Sequence, residues 1–359
     1  MRLFYELIQV AIGSNNSLSY IPQVEEWENL FYQAKKQALI GIAFHGVQQL
    51  YKVHPEQTAN LSIKLKMTWI GLTAKIEDRN RLLNRRASEI TQFFNDGGLR
   101  CCVLKGQGVA ELYGNLKALR QPGDIDLWVE GKRENVIAFM KNKGWKVGTS
   151  VVHHTDVEIF DDVDTEIHHY PSYTYSPFRW LRYRRWFKEQ AKIQFQLFDE
   201  SLGFNYPSVR FNLVYSMLHI FRHVFHEGIG LKQLLDYYCI LTHASERDRI
   251  IATATLKHLG LFDFAAAVMF VEKEFLEIED RFLLCAPSKR FGRFLLDEIN
   301  KAGNFGKYDA RVIEAHSGNS MKLYFHNVKR IFRLLRYFPS EVLWAPVWKP
   351  VHWAWRKLI

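Results

Sequence analysis

The chain has 359 residues, of which 48% are hydrophobic and 24% are charged. That length suits two or three domains around a substantial core, and the apolar content excludes a disordered chain. The formal net charge of +10 favours an anionic partner such as a nucleotide, a nucleic acid or an acidic membrane surface. Four cysteines without C-x-x-C spacing argue against a disulfide framework or a zinc knuckle, and predict reduced core thiols in a cytoplasmic protein.

Residues 1–96 are predicted to form an N-terminal helical region. Apolar residues recur at three- and four-residue spacing in "VEEWENLFYQAKKQALIGIAFHGVQQL" and again in "LKMTWIGLTAKIEDRNRLLNRRASEITQFFNDGG". The start of the chain is typical of an amphipathic helix rather than a signal peptide, because Glu6 interrupts its apolar part. No run reaches the roughly 18 apolar residues of a membrane span.

The pattern of apolar residues changes in 97–205 and predicts a small α/β core. Strands are predicted at "LRCCVLKG", "GDIDLWVEG" and "WKVGTSVV", helices at "QGVAELYGN" and "RENVIAFMKNKG", and a hairpin at "DVEIF-DDVD-TEIHHY". A loop is expected from Pro171 to about Lys192, and "IQFQLFD" is read as one further strand. From 206 to 359 the helical period returns. The prediction is an α+β fold, with a small mixed sheet flanked by N-terminal and C-terminal helical regions.

Asp124 and Asp126 form an unusual pair inside an otherwise buried strand. Side chains alternate along a strand, so the two carboxylates share one face while Ile125 points to the other. Such a pair can jointly hold a hard divalent cation such as Mg²⁺, which offsets their repulsion. An Asp N-cap or an exposed strand end is the alternative interpretation.

The surroundings of this pair favour a metal and nucleotide site. Upstream, Lys105-Gly106-Gln107-Gly108 ends a strand and begins a helix, where backbone N–H groups can approach a phosphate. Downstream, Glu166 in "TEIHHY" points away from the Ile167 face. If that strand lies beside the aspartate strand, Glu166 completes a three-carboxylate cluster of the kind that holds two metals for in-line phosphoryl or nucleotidyl transfer.

The strand–glycine–helix–"DID" order with a later strand acid resembles the nucleotidyltransferase superfamily that includes DNA polymerase beta. More narrowly, "LKGQGVAELYGNLKALRQPGDIDLWV", "TEIHHY" and "HIFRHVFHEGIGLKQLLDYYCIL" look like an uncharacterised bacterial nucleotidyltransferase family. The resemblance implies two Mg²⁺ ions and an NTP substrate such as ATP. It also implies that Asp124 and Asp126 are catalytic metal ligands, with Glu166 as the third ligand or as the base.

The resemblance further implies transfer of an NMP group to a hydroxyl-bearing acceptor with release of pyrophosphate. The acceptor could be a small molecule, a saccharide or a macromolecule. Two departures keep an alternative open, a catalytically inactive nucleotide- or nucleic-acid-binding module. Gly106-Gln107 stands where the superfamily has Gly-Ser or Gly-Gly, and seventeen residues separate Gly106 from Asp124.

Several cationic or ionisable residues are further candidates. Arg120 could contact a triphosphate oxygen or form a salt bridge to Asp124 or Asp126, and Lys105 could contact phosphate in a similar way. His168 could orient Glu166, touch substrate or be structural. In "HIFRHVFHE", a zinc interpretation competes with packing of His219 or His223 beside the active site, near Lys232 and Asp236.

Two basic, aromatic segments have more than one interpretation. "YTYSPFRWLRYRRWFK" could stack bases and bind phosphates, or form a helix with buried aromatics and solvated arginines. The tail "VKRIFRLLRYFPSEVLWAPVWKPVHWAWRKL" could pack against the helical region or contact an anionic membrane surface.

Overall fold

A computed structural model describes residues 1–309, 328–329 and 331–356. The N-terminal helical region contains α1 (Arg2–Ile12), α2 (Val24–Lys36), α3 (Ile40–Val53) and α4 (Ile63–Asp96). Helix α2 begins at a capping box in which the side chain of Glu26 accepts from the backbone N–H of Gln23. Helix α4 begins after Ser62, whose hydroxyl accepts from the N–H of Leu65.

Within the described residues, five strands form one mixed sheet in the order β1-β2-β5-β4-β3. The strands are β1 (Cys101–Leu104), β2 (Ile125–Val129), β3 (Lys146–Ser150), β4 (His154–Glu158) and β5 (Thr165–His168). Strand β2 runs parallel to β5 and antiparallel to β1, and β4 pairs antiparallel with both β3 and β5. The short helices α5 (Gly106–Ala110) and α6 (Arg133–Asn142) connect the first three strands in sequence.

Both faces of the sheet are covered, and side-chain alternation along β2 decides what lies on each face. Ile125 and Leu127 belong to an apolar cluster that includes Leu83 of α4 and Met140 of α6. Trp128 points the other way and stacks on Phe211, with ring centroids 5.9 Å apart. Asp126, two positions before Trp128, therefore lies on the face covered by the C-terminal helices.

The C-terminal region is helical, as predicted. Its described helices are α7 (Pro177–Gln194), α8 (Val209–His226), α9 (Leu231–His243), α10 (Glu246–Leu259), α11 (Phe262–Leu276), α12 (Lys289–Ala302) and α13 (Pro339–Arg356). The predicted α+β fold with flanking helices is confirmed. No described helix is at once long enough and apolar enough to cross a bilayer.

The segment after Pro171 was predicted both as a loop to about Lys192 and as a helix with buried aromatics, and the structure contains the helix. Residues 177–194 form α7, with Tyr183 and Phe187 buried four positions apart, so the helical interpretation is confirmed and the loop ends at Ser176. The strand predicted at "IQFQLFD" is wrong. Helix α7 continues through the buried Gln194, because the burial spacing in this stretch is helical rather than alternating.

The described part of the basic tail packs against the helical region. Phe338 meets Phe221 edge to face at 5.0 Å, and Val342 is fully buried. Part of the predicted tail segment lies outside the described residues.

Candidate active site

A strained turn after β1 brings a lysine to the aspartates. Lys105 adopts φ 52°, in the left-handed region that is costly for a residue with a side chain, and Gly106 follows at φ 31°. The ammonium Nζ of Lys105 lies 2.7 Å from Oδ1 of Asp126. The turn therefore supplies a positive partner for the buried carboxylate.

The rest of the glycine turn faces protein rather than the cavity. The buried side chain of Gln107 donates to Oδ1 of Asn84 at 2.5 Å. A Cβ atom at Gly108 would come within 2.4 Å of Cβ of Tyr206, so close packing accounts for that glycine. The phosphate contact expected from Gly106, Gln107 and Gly108 could involve their backbone alone, and it stays a prediction.

Asp126 is buried and has two cationic or potentially cationic partners. Its Oδ1 is 2.8 Å from Nε2 of His168 and also accepts from Lys105. Burial alone would raise the pKa of Asp126, but Lys105 and His168 outweigh it and hold that pKa well below its usual range. Asp126 is therefore an anion in a protein interior.

Glu166 lies beside Asp126, as the sequence predicted. The parallel pairing of β2 with β5 sets Asp126 directly opposite Glu166. Oε2 of Glu166 is 3.2 Å from Nε2 of His168 and 3.2 Å from Nδ1 of His154. Burial opposes ionisation of Glu166, but the hydrogen bond to His168 keeps its pKa lowered.

His168 links the two acids. Burial would lower its pKa, yet the contacts with Asp126 and Glu166 raise it above the usual value. The imidazole therefore gains a proton more readily than an ordinary histidine. Lys105 and His168 together offset much of the negative charge of the cluster.

Asp124 immediately precedes β2 and lines the same cavity as Lys105 and Glu166. Its side chain is exposed to the solvent of that cavity. The charge of Asp126, followed by partial desolvation, raises the pKa of Asp124 to about 6. A carboxyl whose ionisation is opposed by a neighbouring carboxylate is stabilised by an added cation.

Among the described residues, three overlapping groups bring potential metal-ligand atoms within 4.8 Å of one another. They are Asp126 with Glu166 and His168, Glu166 with His154 and Asp156, and His168 with His153 and His154. The first two groups contain two carboxylates each, which suit hard cations such as Mg²⁺ or Mn²⁺, and the imidazoles extend the range to softer metals. None of these groups includes His219, His223 or His226, which the zinc interpretation would require.

Arg120 is directed elsewhere. Its guanidinium donates from Nε and Nη2 to the two carboxylate oxygens of Asp236 at 2.7 and 2.8 Å, and the hydroxyl of Tyr113 donates to the same group at 2.6 Å. The pKa of Asp236 is lowered, since Arg120 outweighs burial. Arg120 thus pairs with Asp236 on α9 rather than with Asp124 or Asp126. A direct role for Arg120 at a triphosphate stays a prediction.

The cluster opens into a cavity of about 600 Å³. That volume is within the range of small-molecule sites. Its walls come from the sheet, from α8 through His219, Arg222 and His223, and from α13 through Trp348 and His352. Burial is the main reason that the pKa of His219 lies well below its usual value and that of His223 falls to about 3. Those two histidines therefore line the cavity as neutral rings.

Sequence reasoning missed several residues of this site. His154 is the first residue of β4, and its Nδ1 lies 3.2 Å from Oε2 of Glu166. Alternation along the predicted hairpin could have placed His154 and Asp156 on the face of Glu166. Arg222 donates to Nε2 of His153 at 2.6 Å, and its position between His219 and His223 was the available signal.

Comparison with known protein families gives one match. A family model described as an uncharacterised nucleotidyltransferase matches residues 23–277. The match includes α2, the whole sheet and helices α3 to α11, so it spans both the acidic cluster and the cavity wall on α8. No curated protein and no solved structure matches the chain.

Proposed function

Because the chain belongs to this uncharacterised nucleotidyltransferase family, we propose that it transfers the NMP group of an NTP to a hydroxyl-bearing acceptor and releases pyrophosphate. In this proposal Asp124, Asp126 and Glu166 bind divalent metal, Mg²⁺ or Mn²⁺. The observation that carries the proposal is the pairing of Asp126 directly opposite Glu166, at a cavity that Asp124 also lines.

The donor set fits such a metal. Asp126 and Glu166 lie together, Asp124 lines the same cavity, and the charge of Asp126 raises the pKa of Asp124, so the negative charge is incompletely neutralised. When bound, the metal would neutralise phosphate charge and lower the pKa of a coordinated hydroxyl. Asp126 is already held as an anion, so it needs no deprotonation before it binds a cation.

The remaining groups of the cavity support binding and proton transfer. Lys105, Arg222 and Lys307 line it and would offset the charge of a triphosphate. The acceptor oxygen would attack the α-phosphorus as the bond from that phosphorus to the bridging oxygen breaks, and pyrophosphate would leave. Glu166 would accept the hydroxyl proton and pass it to solvent, since its side chain is 28% exposed.

The test combines nucleotide binding with transfer. Purified protein is incubated with each of the four Mg-NTPs and with cell extract, and mass spectrometry searches for an added nucleotide mass. We expect the Asp124→Asn/Asp126→Asn variant to lose transfer by about 10³-fold or more, because transition-state charge stabilisation is lost. A matched control, Asp161→Asn/Glu200→Gln, removes the same charge at exposed positions and should retain activity.

Equal Mg-ATP binding and equal transfer by the wild type and the Asp124→Asn/Asp126→Asn variant would remove the proposal. Loss of transfer in the control variant as well would show that removal of negative charge in general, rather than at the proposed metal site, reduces activity.

One observation favours the second candidate, a nucleotide-binding module without turnover. Asp126 already has Lys105 and His168 as partners within the protein, so its burial does not require a metal. This candidate predicts that Mg-NTP binds, that the double variant weakens binding, and that no product with an added nucleotide mass forms. Detection of that product eliminates it.

A further inference from the structure

Helix α13 exposes an apolar face. Every described residue of this helix that is exposed has an apolar side chain: Pro339, Leu343, Trp344, Val347, Pro350, Val351 and Ala354. At 100° per residue these positions fall within an arc of about 140° on one side of the helix. Leu343 is 59% exposed, Val347 is 51% exposed and Val351 is 58% exposed.

The opposite side of α13 is attached firmly to the protein. Val342 and Ala345 are buried in the main apolar cluster. The carboxylate of Glu341 accepts from the Thr174 hydroxyl at 2.5 Å and from the Tyr175 N–H at 2.6 Å. Because one face is held in this way, the helix presents its apolar face as a fixed ridge.

The end of the chain is strongly cationic. From residue 322 onward the sequence contains one acid, Glu341, and eight cations: Lys322, Lys329, Arg330, Arg333, Arg336, Lys349, Arg356 and Lys357. Glu341 is 2% exposed, whereas Lys329, Arg333 and Arg336 are exposed. The segment that contains the apolar face therefore has a net positive charge in sequence and a buried acid, while Arg333 pairs with Glu298 at 3.2 Å.

Helix α4 also has exposed apolar side chains and serves as a comparison for the exposed face of α13. On α4, Ile63 is 80% exposed and Met67 is 59% exposed, and each is followed in the sequence by an exposed polar residue, Lys64 or Thr68. Single exposed apolar side chains among polar ones are normal on a protein surface. On the exposed face of α13 the polar described residue is Ser340, which is half-buried and hydrogen bonds through its hydroxyl to Ser176.

We infer that α13 docks the protein on an anionic lipid surface, lying in the plane of the interface. A convex apolar helix face with tryptophan beside a cationic segment is the combination that interfacial helices use, and charge attraction adds to apolar burial. Trp344, which is 37% exposed, has the side chain that collects at membrane–water interfaces. Docking does not depend on the proposed nucleotidyl transfer.

Docking would also orient the cavity. Trp348 stacks on Tyr173 with centroids 6.3 Å apart, and it lines the cavity together with His352. Helix α13 thus lines the cavity with one side and carries the apolar face on an adjoining side. The proposed active site would then lie next to the lipid surface.

The test is flotation of the full chain with phosphatidylcholine vesicles, and with vesicles that also contain phosphatidylglycerol. We expect binding to the anionic vesicles, weakened by salt because its electrostatic part is screened. The Leu343→Gln/Val347→Gln/Val351→Gln variant should bind the anionic vesicles at least about tenfold more weakly than the wild type, because it removes three apolar contacts. Its melting temperature should match that of the wild type, since all three side chains are exposed.

A matched control, Ile63→Gln/Met67→Gln/Ile70→Gln, removes three exposed apolar side chains of α4 and should bind like the wild type. If the α13 variant is unstable, Lys329→Gln/Arg336→Gln leaves that helix intact and should still reduce binding to anionic vesicles. Equal binding to the two vesicle types, or undiminished binding of the α13 variant, would contradict the inference. Self-association that the α13 variant abolishes without vesicles would assign the face to a second copy instead, and would overturn it.

Discussion

Buried acidic side chains have hydrogen-bond partners in one region of the molecule and lack them in another, among the described residues. At the candidate site, Asp126 has Lys105 and His168 within hydrogen-bond distance, and nearby on α9 Asp236 has Arg120 and Tyr113. On α11, Glu272 is 0% exposed, and neither of its carboxylate oxygens has a hydrogen-bond partner among the described residues.

The consequence is a difference in protonation. Partners hold the pKa of Asp126 and Asp236 below the usual range, so both are ionised. Burial raises the pKa of Glu272 well above its usual value, so that group is a neutral acid. A buried carboxylate at the candidate site is thus one for which the fold supplies cations, and this distinguishes a functional charge cluster from an isolated buried acid.

The largest expected effect is on the partnered side. Arg120→Ala leaves Asp236 buried without its cation, so we expect the free energy of unfolding to fall by about 3–5 kcal/mol. Urea denaturation measures the change. Arg120→Met/Asp236→Leu removes both charges and should recover part of the loss. A loss below about 1 kcal/mol in Arg120→Ala would mean that water replaces the arginine. The contrast between partnered and unpartnered buried acids would then be wrong.

Glu272 should respond in the opposite direction. Glu272→Met removes an unpartnered polar group from the interior, so we expect stability to increase by about 1–3 kcal/mol. Thermal unfolding at neutral pH is the measurement. Destabilisation by this substitution would show that Glu272 has a favourable partner.

The same position makes a pH prediction. Because the folded pKa of Glu272 is raised, its contribution to stability is complete below the unfolded pKa of about 4.3 and is lost as pH rises toward the folded pKa. Glu272→Gln, which keeps the shape but cannot ionise, should match the wild type at low pH and exceed it increasingly above that value. Parallel pH profiles of stability for the two proteins would contradict this.

Lys105→Met should have a smaller effect on stability, because Asp126 keeps His168 as a partner. We expect a loss of about 1–2 kcal/mol in the presence of EDTA. Added Mg²⁺ or Mn²⁺ should raise the melting temperature of this variant more than that of the wild type, since the metal would replace the missing positive charge. An equal increase in melting temperature on metal addition in the two proteins would show that Lys105 is not part of the proposed metal site.

The smallest effect is expected at the exposed edge of the sheet. Lys146 and Glu158 pair at 2.7 Å with side chains that are 74% and 69% exposed. Lys146→Ala should change the free energy of unfolding by no more than about 1 kcal/mol, since solvent screens the pair. A larger loss would show that proximity of charges, rather than their burial, governs stability in this protein.

The amino-acid sequence by itself determined which side chains share a face of each strand, as alternation in "DIDLWV" and "TEIHHY" predicted. The parallel pairing of β2 with β5, which sets Asp126 opposite Glu166, was decided by the tertiary structure. These predictions succeeded because the period of two along a strand depends on the backbone alone.

Tertiary packing decided the partners. Arg120 and Asp236 are 116 residues apart in the sequence, and the pairing of Arg120 with α9 rather than with the adjacent aspartates depends on how that helix packs. Likewise, Trp348 reaches the cavity only because Glu341 and Val342 attach α13 to the protein. Local patterns specify which face a side chain occupies. The contact that it makes depends on the element that covers that face, and long-range packing alone decides this.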